Sequence, residues 1–533
     1  MIFGGSFTFN GTATAGGTAS GSDLADFLIG IPDASSIAYG NADKYFREPA
    51  YSLNFNDDWR LMPVLTINAG VWWGYSAPIT ELHGRLVNLD ASSGFAAVAP
   101  VLGSNPVGPV TGAHYPSALM RPDRSMIQPR IGVSWRPIPA STVVIKAGYG
   151  IYSDTSVYQN IVLQMAQQAP LSTSLSAQNS AACPLSLATF TVSSSCAAAS
   201  ADTFGIDRNF HIGYLQSWQL SVQRDLPFAL QATATYIGMK GTHGPQEILP
   251  NSYPLGEANP CPSCTSGFMY EGSGGNSFRN AGQFQLRRRM RSGFTATLMY
   301  TYAKSIDDDA YLGGQGGTQS SSLLSPSGSI AQDWLNPRAE RARSNFDQRH
   351  LVNLQAQYTS GMGLGGGTLL GGWRGRALKE WTVLGTLSMG TGLPETPSYP
   401  AAMPGTGFSN IIRPSLTGAP IYASSGSTHL NAAAFTAPTA GGWGTAGRNS
   451  ITGPNQFSFN SSMARTFRPS SKTYLDVTVN STNTFNHATI SGWNTTFINP
   501  QTGLPTGINS QFGQPIGANP MRSLQITTHL RFQ

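Results

Sequence analysis

The chain has 533 residues, of which only 11% are charged, and its formal net charge is +6. A typical soluble domain has roughly 25% charged residues, so the composition argues against an average soluble domain, and the thinly spread charge argues against nucleic-acid binding. No run of 18 apolar residues occurs, which excludes a helical membrane protein. With 60 glycines and 40% hydrophobic residues, a β-rich protein is expected.

Candidate strands recur along the whole chain, because apolar and polar residues alternate with a period of two. Residues 1–9 come first, followed by a weaker candidate at residues 23–39. The remaining candidates are residues 47–59, 64–75, 127–136, 142–152, 218–226, 230–236, 283–290, 294–302, 346–358, 381–389, 457–467, 474–485 and 524–533. Counted from residues 23–39 onward, the candidates amount to about fourteen strands.

Two hairpins between Trp218 and Ser305 show this alternation most clearly. The apolar positions of the first hairpin are Trp218, Leu220, Val222, Leu226, Leu230, Ala232, Ala234 and Tyr236, and Gln and Thr residues lie between them. The second hairpin alternates in the same way through Phe284 and Leu286, and again from Phe294 to Tyr302. Strands of about ten residues that end in aromatic side chains suit a sheet with one face on lipid and the other on a lumen.

The connections between the predicted strands alternate between short turns and long segments rich in Pro, Gly and Ser. The long segments include residues 76–126, 153–209, 240–275, 306–343, 391–455 and 486–521, whereas the glycine-rich segment 361–372 is assigned to a turn. A soluble sandwich has two equivalent ends and no reason to keep this order. A transmembrane barrel does keep it, with short periplasmic turns and long external loops. We therefore predict an all-β fold, a partial antiparallel transmembrane β-barrel.

The last strand ends with Phe532, which falls on the apolar side of the alternation. An outward aromatic at the end of the chain is the feature that barrel-insertion machinery binds, although Gln533 follows it here. At the other end, the first basic residue is Lys44 and no signal peptide is found. We expect the sequence to begin within a longer protein. Residues 1–44 are assigned to an N-terminal strand segment of a truncated barrel, and residues 45–533 to the barrel domain.

The four cysteines form two close pairs in predicted loops, Cys183 with Cys196 and Cys261 with Cys264. Two local disulfides in an oxidising compartment are predicted. The second pair also matches a C-x-x-C redox or half-zinc motif, but no second C-x-x-C completes four ligands.

No catalytic, cofactor-binding or metal-binding constellation is found, so no enzymatic activity is predicted. The eight histidines are scattered and form no H-E-x-x-H motif: His83, His114, His211, His243, His350, His429, His487 and His529. Asp307, Asp308 and Asp309 could hold calcium together with Asp333, but a solvated acidic loop is favoured.

Three further features are assigned structural roles. Residues 361–366 match G-x-G-x-x-G, yet no helix is predicted after them, so a flexible turn is expected. The cluster Arg287-Arg288-Arg289-Met290-Arg291 straddles a turn and is interpreted as a membrane-rim anchor. Six tryptophans are interpreted as an interfacial girdle or barrel wall rather than sugar-stacking platforms: Trp59, Trp72, Trp73, Trp135, Trp218 and Trp381.

Several motifs resemble the barrel region of TonB-dependent outer-membrane receptors, specifically the Oar-like branch. They are residues 216–224 (QSWQLSVQR), 236–243 (YIGMKGTH), 300–308 (YTYAKSIDD), 345–350 (NFDQRH), 447–454 (GRNSITGP) and 485–487 (FNH). The resemblance implies a 22-stranded barrel with an N-terminal plug and a TonB box, often preceded by a carboxypeptidase-regulatory-like domain. None of these N-terminal parts is recognised in the sequence. The predicted strands, about fourteen, would form about two-thirds of such a barrel.

The resemblance implies a protein of the cell outer membrane that binds an external solute on its loops and passes it through the lumen. The implied partners are outer-membrane lipid, the barrel-insertion machinery and an unknown solute. The TonB complex joins them only if a plug and TonB box lie upstream. Two alternatives remain open: a structural or adhesive outer-membrane protein without transport, and a secreted β-rich enzyme or lectin-like protein.

Overall fold

The computed structural model describes most of the chain: residues 4–9, 11, 14, 22–41, 43–154, 157–179, 184–187, 200–201, 203–308, 330–406, 411–424, 428–470, 472–497 and 511–532. Its main feature is one large antiparallel sheet, in which thirteen strands follow one another in chain order. We call these thirteen strands the wall. They are β1 (Ala50–Met62), β2 (Leu65–Ser76), β3 (Ile127–Trp135), β4 (Val144–Ser153), β5 (Tyr214–Leu226), β6 (Leu230–Ile248), β7 (Met269–Arg291), β8 (Phe294–Asp307), β9 (His350–Thr359), β10 (Thr382–Gly390), β11 (Gln456–Ser470), β12 (Thr473–Thr482) and β13 (Ser523–Phe532).

The register of the wall places most of the alternating apolar residues on one face. Opposed residues in an antiparallel pair share a face, and the pairs include Leu53–Trp73, Leu220–Tyr236, Phe284–Tyr300, Leu387–Phe459 and Val479–Ile526. The opposite face is polar, as in the row Ser221, Thr235, Gln283 and Thr301. A slip of one residue would exchange the two faces. The predicted two-residue alternation and the all-β antiparallel fold are therefore confirmed.

The wall has one strand fewer than predicted, because residues 23–39 are not part of it. Asp23–Ile29 form a helix, α1, and the strand Ala34–Gly40 follows. Ser22 caps the helix by accepting a hydrogen bond from Ala25 N, and Gly30 ends it with a φ of 71°. Leu24, Phe27 and Leu28 follow a helical spacing, so a strand was the wrong assignment for this stretch.

Residues near the N-terminus belong to a separate four-stranded sheet. Gly4–Thr8 pairs with Ala34–Gly40, which pairs with Ser172–Gln178, and Ser200–Ala201 completes the sheet. Within the described residues, β1 pairs only with β2 and β13 only with β12 along the wall, so these two strands form its edges. Both edge strands run toward the same rim. The division of the chain at residue 45 stays a prediction.

Connections at one rim of the wall are mostly short: residues 63–64, 136–143, 227–229, 292–293, 360–381 and 471–472. We call this side the turn rim. The connection 360–381 is an exception to the predicted short turns, since it contains a 3₁₀ turn (Leu364–Gly366) and a helix, α3 (Gly372–Leu378). A helix therefore does follow the G-x-G-x-x-G segment. Gly363, Gly365 and Gly366 adopt positive φ, and the segment accepts hydrogen bonds from Ser292 N and Gly293 N of the neighbouring turn.

The long connections lie at the opposite rim, and we call them the crown: residues 77–126, 154–213, 249–268, 308–349, 391–455 and 483–522. One of them is shorter than predicted, because β6 and β7 extend through much of residues 240–275. The crown contains helix α2 (Val157–Ala166) and 3₁₀ turns at Ser93–Phe95, Pro337–Glu340 and Ala432–Ala434. Its short strands are Thr80–Glu81, Val87–Ala91, Val98–Leu102, Phe204–Ile206, Ala342–Arg343, Pro394–Glu395, Ser415–Leu416, Phe435–Thr436, Ile451–Thr452, Ile490–Trp493 and Pro515–Ala518; Phe46–Arg47, just before β1, pairs with the first of them.

Hydrophobic burial is concentrated in the crown. Leu86, Leu119, Ile161, Leu430 and Ile451 are no more than 1% exposed and belong to one cluster with residues of the other long connections. The wall, by contrast, leaves many of its large apolar side chains exposed. No helix among the described residues is long and apolar enough to cross a membrane.

Candidate functional site

Buried charged residues link the long connections of the crown to one another. The guanidinium of Arg413 donates to both oxygens of Glu340, at 2.7 and 2.9 Å, and the two side chains are 7% and 1% exposed. The Glu340 carboxylate also accepts a hydrogen bond from Gln332 N at 3.1 Å. Such a bidentate pair joins two long connections, residues 308–349 and 391–455, with defined geometry. Removing either partner would leave a buried charge without its counter-ion.

A second buried pair explains several of the sequence motifs. Arg448, in the 447–454 motif, forms an ion pair with Asp307 and donates to the Asp307 carbonyl oxygen at 2.7 Å. Asn449 Nδ2 donates to Arg343 O at 2.7 Å, and Asp347 Oδ1 accepts from Ser305 N at 2.7 Å. The motifs 300–308, 345–350 and 447–454 therefore meet where the crown joins the wall, and their polar residues hold that junction together.

The aspartate segment differs from both of its sequence-based interpretations. Asp307 is 1% exposed, so it does not belong to a solvated loop. Asp308 Oδ1 accepts from Asn276 N, Asp333 Oδ1 accepts from Leu335 N, and Asp309 lies outside the described residues. In the part of the chain that the structure describes, no group of three or more His, Cys, Asp or Glu residues could hold a metal ion. The predicted calcium alternative is not supported by these placements.

Two buried glutamates face each other above the membrane-spanning part of the wall. Glu247 of β6 is paired with Glu271 of β7, which places both side chains on the same face. Glu247 lies 17 residues beyond Leu230, which is about 56 Å along the strand and, at a barrel-type tilt, well beyond an apolar band about 25 Å tall. Neither carboxylate has an ion-pair partner among the described residues, and Glu247 Oε2 has no hydrogen-bond partner.

Burial of these two carboxyls changes their proton affinity. Desolvation raises the pKa of Glu247 to about 7. Desolvation also raises the pKa of Glu271, and the nearby charge of Glu247 raises it further, to about 8. No local pattern in the sequence indicates this pair, because residues 240–275 are predicted to form a loop.

A cleft of about 330 Å³ lies where the crown meets strands β3 to β6. This volume falls within the range of small-molecule sites. The lining combines apolar side chains with carboxylate, hydroxyl, amide and imidazole groups: Asp123, Ser125, Met126, Ile127, Gln128, Ile151, Ser153, His211, Ile212, Tyr214, Gln216 and His243. We call it the rim cleft.

The charged group of the rim cleft is Asp123. Burial alone would raise the pKa of this carboxyl, but hydrogen bonds from Ser125 Oγ and N and from Ile212 N favour the ionised form, and the net effect is a pKa below its usual range. Ser125 Oγ donates to Asp123 Oδ1 at 2.6 Å, and Ile212 N donates to Oδ2 at 3.3 Å. Asp123 therefore presents a fixed negative charge to the cleft.

The tryptophans lie on both faces of the wall. Trp59, Trp73, Trp135 and Trp218 occupy positions of the apolar face, and Trp381 donates through Nε1 to Ala377 O at the turn rim. Trp72 is the exception, since it is opposed to Asn54 and Gln128 on the polar face. Its ring lies over Gly74, where a Cβ would meet it at 2.8 Å. Of the two structural roles, girdle or barrel wall, Trp72 therefore fits only the second.

The remaining predicted residues are placed as follows. Cys261 and Cys264 are joined by a disulfide bond, whereas Cys183 and Cys196 lie outside the described residues. Phe532 lies on the apolar face and is 74% exposed, and its role as an insertion signal stays a prediction. At the turn rim, Arg289 pairs with Asp225 at 2.8 Å and Arg288 lies over the ring of Phe294.

Comparison with known proteins gives one family match. A family model described as an outer membrane beta barrel domain matches residues 3–525. No curated protein matches the sequence.

Solved structures with similar architecture are outer-membrane receptors and transporters. The ferric-catecholate import receptor Fiu from E. coli K12 is 10% identical, with a TM-score of 0.40 over 93% of this chain and 45% of its own. The siderophore receptor PiuA from Acinetobacter baumannii is 10% identical, with a TM-score of 0.42 over 94% of this chain and 44% of its own. The outer membrane transporter YddB from Escherichia coli is 10% identical, with a TM-score of 0.42 over 94% of this chain and 55% of its own. The chain therefore spans about half the length of these proteins.

Proposed function

We propose that this chain, which belongs to the outer membrane beta barrel domain family, forms the wall and ligand-binding crown of a TonB-dependent-receptor-like transporter. The protein lies in the cell outer membrane, with the apolar face of the wall against lipid. In the proposed mechanism, the crown binds an external solute and the polar face of the wall lines its path. Movement of a plug by the TonB complex would open that path.

The single observation that carries the proposal is the difference in structure between the turn rim and the crown. All six long connections lie on one rim, where they fold into a common structure with its own hydrophobic core. A pore or an anchor needs no such structure, whereas a receptor needs preformed external surfaces that hold binding groups in place. Buried pairs such as Arg413–Glu340 supply this preorganisation.

The test compares cells that carry the intact gene with cells from which it is deleted, each with the TonB system active or inactivated. Accumulation of a panel of labelled solutes (metal chelates, oligosaccharides and peptides) is measured. We expect one class of solute to accumulate only when both the gene and the TonB system are intact. Loss of attachment to surfaces without any change in uptake would overturn the proposal in favour of the adhesive alternative.

A further inference from the structure

Two histidines that are distant in sequence meet at the rim cleft. His211 precedes β5 by three residues, and His243 follows Thr242, which is paired with Tyr214 at the start of β5. Their ring centroids are 5.2 Å apart and the ring planes are inclined by 36°. The approach requires glycine at position 213, because a Cβ there would stand 2.9 Å from His243 O. Both side chains line the same cavity.

Each imidazole has its Nδ1 atom turned toward an acceptor. His243 Nδ1 lies 3.2 Å from Ser273 O, and because a carbonyl oxygen only accepts, this nitrogen carries the proton. His211 Nδ1 lies 3.5 Å from Asp123 Oδ2, and Asp123 is itself held by Ser125 and Ile212. In a neutral imidazole the other nitrogen, Nε2, then keeps its lone pair. A carboxylate or carbonyl acceptor behind Nδ1 is the usual outer partner of a metal-binding histidine.

We propose that His211 and His243 bind one divalent transition-metal ion, such as Zn²⁺ or Cu²⁺, through their Nε2 atoms. Imidazole nitrogens favour these ions over Ca²⁺ and Mg²⁺, which prefer oxygen ligands. Because no third His, Cys, Asp or Glu among the described residues is placed to bind the same ion, the remaining coordination positions face the cleft and take water or donor atoms of a bound molecule. This inference does not rest on the proposed transport function.

His211 supplies the adjustable half of the site. Its side chain is 56% exposed, so it can rotate to complete the coordination geometry, whereas His243 is part-buried and its backbone is fixed at the strand bulge after Thr242. The Asp123 carboxylate lowers the electrostatic cost of bringing a dication to the cleft.

The experiment uses the full chain purified without a polyhistidine tag and titrated with ZnCl₂ and CuCl₂ in a calorimeter. We expect one ion per chain, a loss of affinity of at least tenfold in His211→Ala and in His243→Ala, and a loss of about tenfold in Asp123→Asn. His350→Ala is the matched control, since His350 is also hydrogen-bonded, to Tyr300, but does not line the cleft. Its binding isotherm should not change.

A measurement on the unaltered protein keeps the test decisive if a variant fails to fold. The electron paramagnetic resonance spectrum of one equivalent of Cu²⁺ should show hyperfine coupling to two imidazole nitrogens. Coupling to fewer than two nitrogens, or equal affinity in both alanine variants and the wild type, would overturn the proposal.

Discussion

The wall and the crown differ in the exposure of their hydrophobic side chains. In the wall, Leu53, Phe55 and Ile526 are about 70% exposed, whereas in the crown Leu86 and Leu119 are fully buried. The wall is stabilised by backbone pairing and, in its membrane, by lipid on its apolar face. The crown instead resembles the interior of a soluble domain, with a packed core and buried ion pairs. One chain therefore contains two regions whose stability depends on different solvents.

The largest expected effect is a loss of stability at high pH where β6 and β7 meet the crown. The unfolded carboxyls have a pKa of 4.5, and burial raises the pKa of Glu247 to about 7 and that of Glu271 to about 8. Stabilisation by their protonated forms is fully present below pH 4.5 and is lost as pH rises through 7 to 8. Each tenfold change in proton affinity is worth about 1.4 kcal/mol, so the crown ends of β6 and β7, together with the crown segments bonded to them, should lose several kcal/mol.

Hydrogen exchange of crown amides between pH 4.5 and 8.5, corrected for the intrinsic rate, measures this loss. The Glu247→Gln/Glu271→Gln variant is the control, and its protection should be nearly independent of pH. Equal pH dependence in the variant and the wild type would show that other groups are responsible.

The next largest effect concerns the buried ion pair between two connections of the crown. Glu340→Ala leaves the Arg413 guanidinium buried without its carboxylate, which should cost about 3–5 kcal/mol. We expect crown amides to exchange faster while the wall amides of β5 and β6 keep their protection. If the wall lost protection to the same extent, the two regions would not be independently stabilised.

In the wall, the size of the destabilisation should depend on the face that carries the substitution. Leu220 lies on the apolar face, and Leu220→Arg should destabilise the membrane-inserted state by about 2–4 kcal/mol, because a charge then faces lipid. Gln219→Arg places the same charge on the polar face of the same strand and should have little effect. Urea-dependent unfolding from bilayers of defined thickness measures both variants. Similar losses in the two variants would contradict the assigned register.

The smallest effect is expected at the turn rim. Arg468 pairs with Glu380 at 2.6 Å, but the Arg468 side chain is 53% exposed. Arg468→Ala should therefore cost no more than about 1 kcal/mol in the same unfolding assay. A loss comparable to that of Glu340→Ala would mean that burial does not distinguish the ion pairs of the two regions.

The alternation of side chains was sufficient to predict the wall but not the crown. Residues such as Leu220 and Tyr236 show the two-residue period directly in the sequence, and the short turns fix which strands are neighbours. The crown has no period, since its core brings together residues such as Leu86 and Leu430 from separate connections. Helix α1 has only seven residues, about two turns, so the helical spacing of its apolar residues is too short to be separated from a strand pattern in the sequence.

The motifs could be recognised from the sequence, but their roles could not. Arg448 and Asp307 are 141 residues apart, and nothing local indicates that they pair. The same applies to Glu247 and Glu271, and to His211 and His243, whose contacts depend on the register of β5, β6 and β7.

Local alternation and turn chemistry are enough to predict the fold class, the two faces of the wall and the position of most of its strands. Only the folded chain shows which polar residues of the crown are buried, which of them pair, and which face a cleft. The physical reason is that burial and electrostatic environment depend on contacts between distant segments, and such contacts arise only when the strands have paired in register.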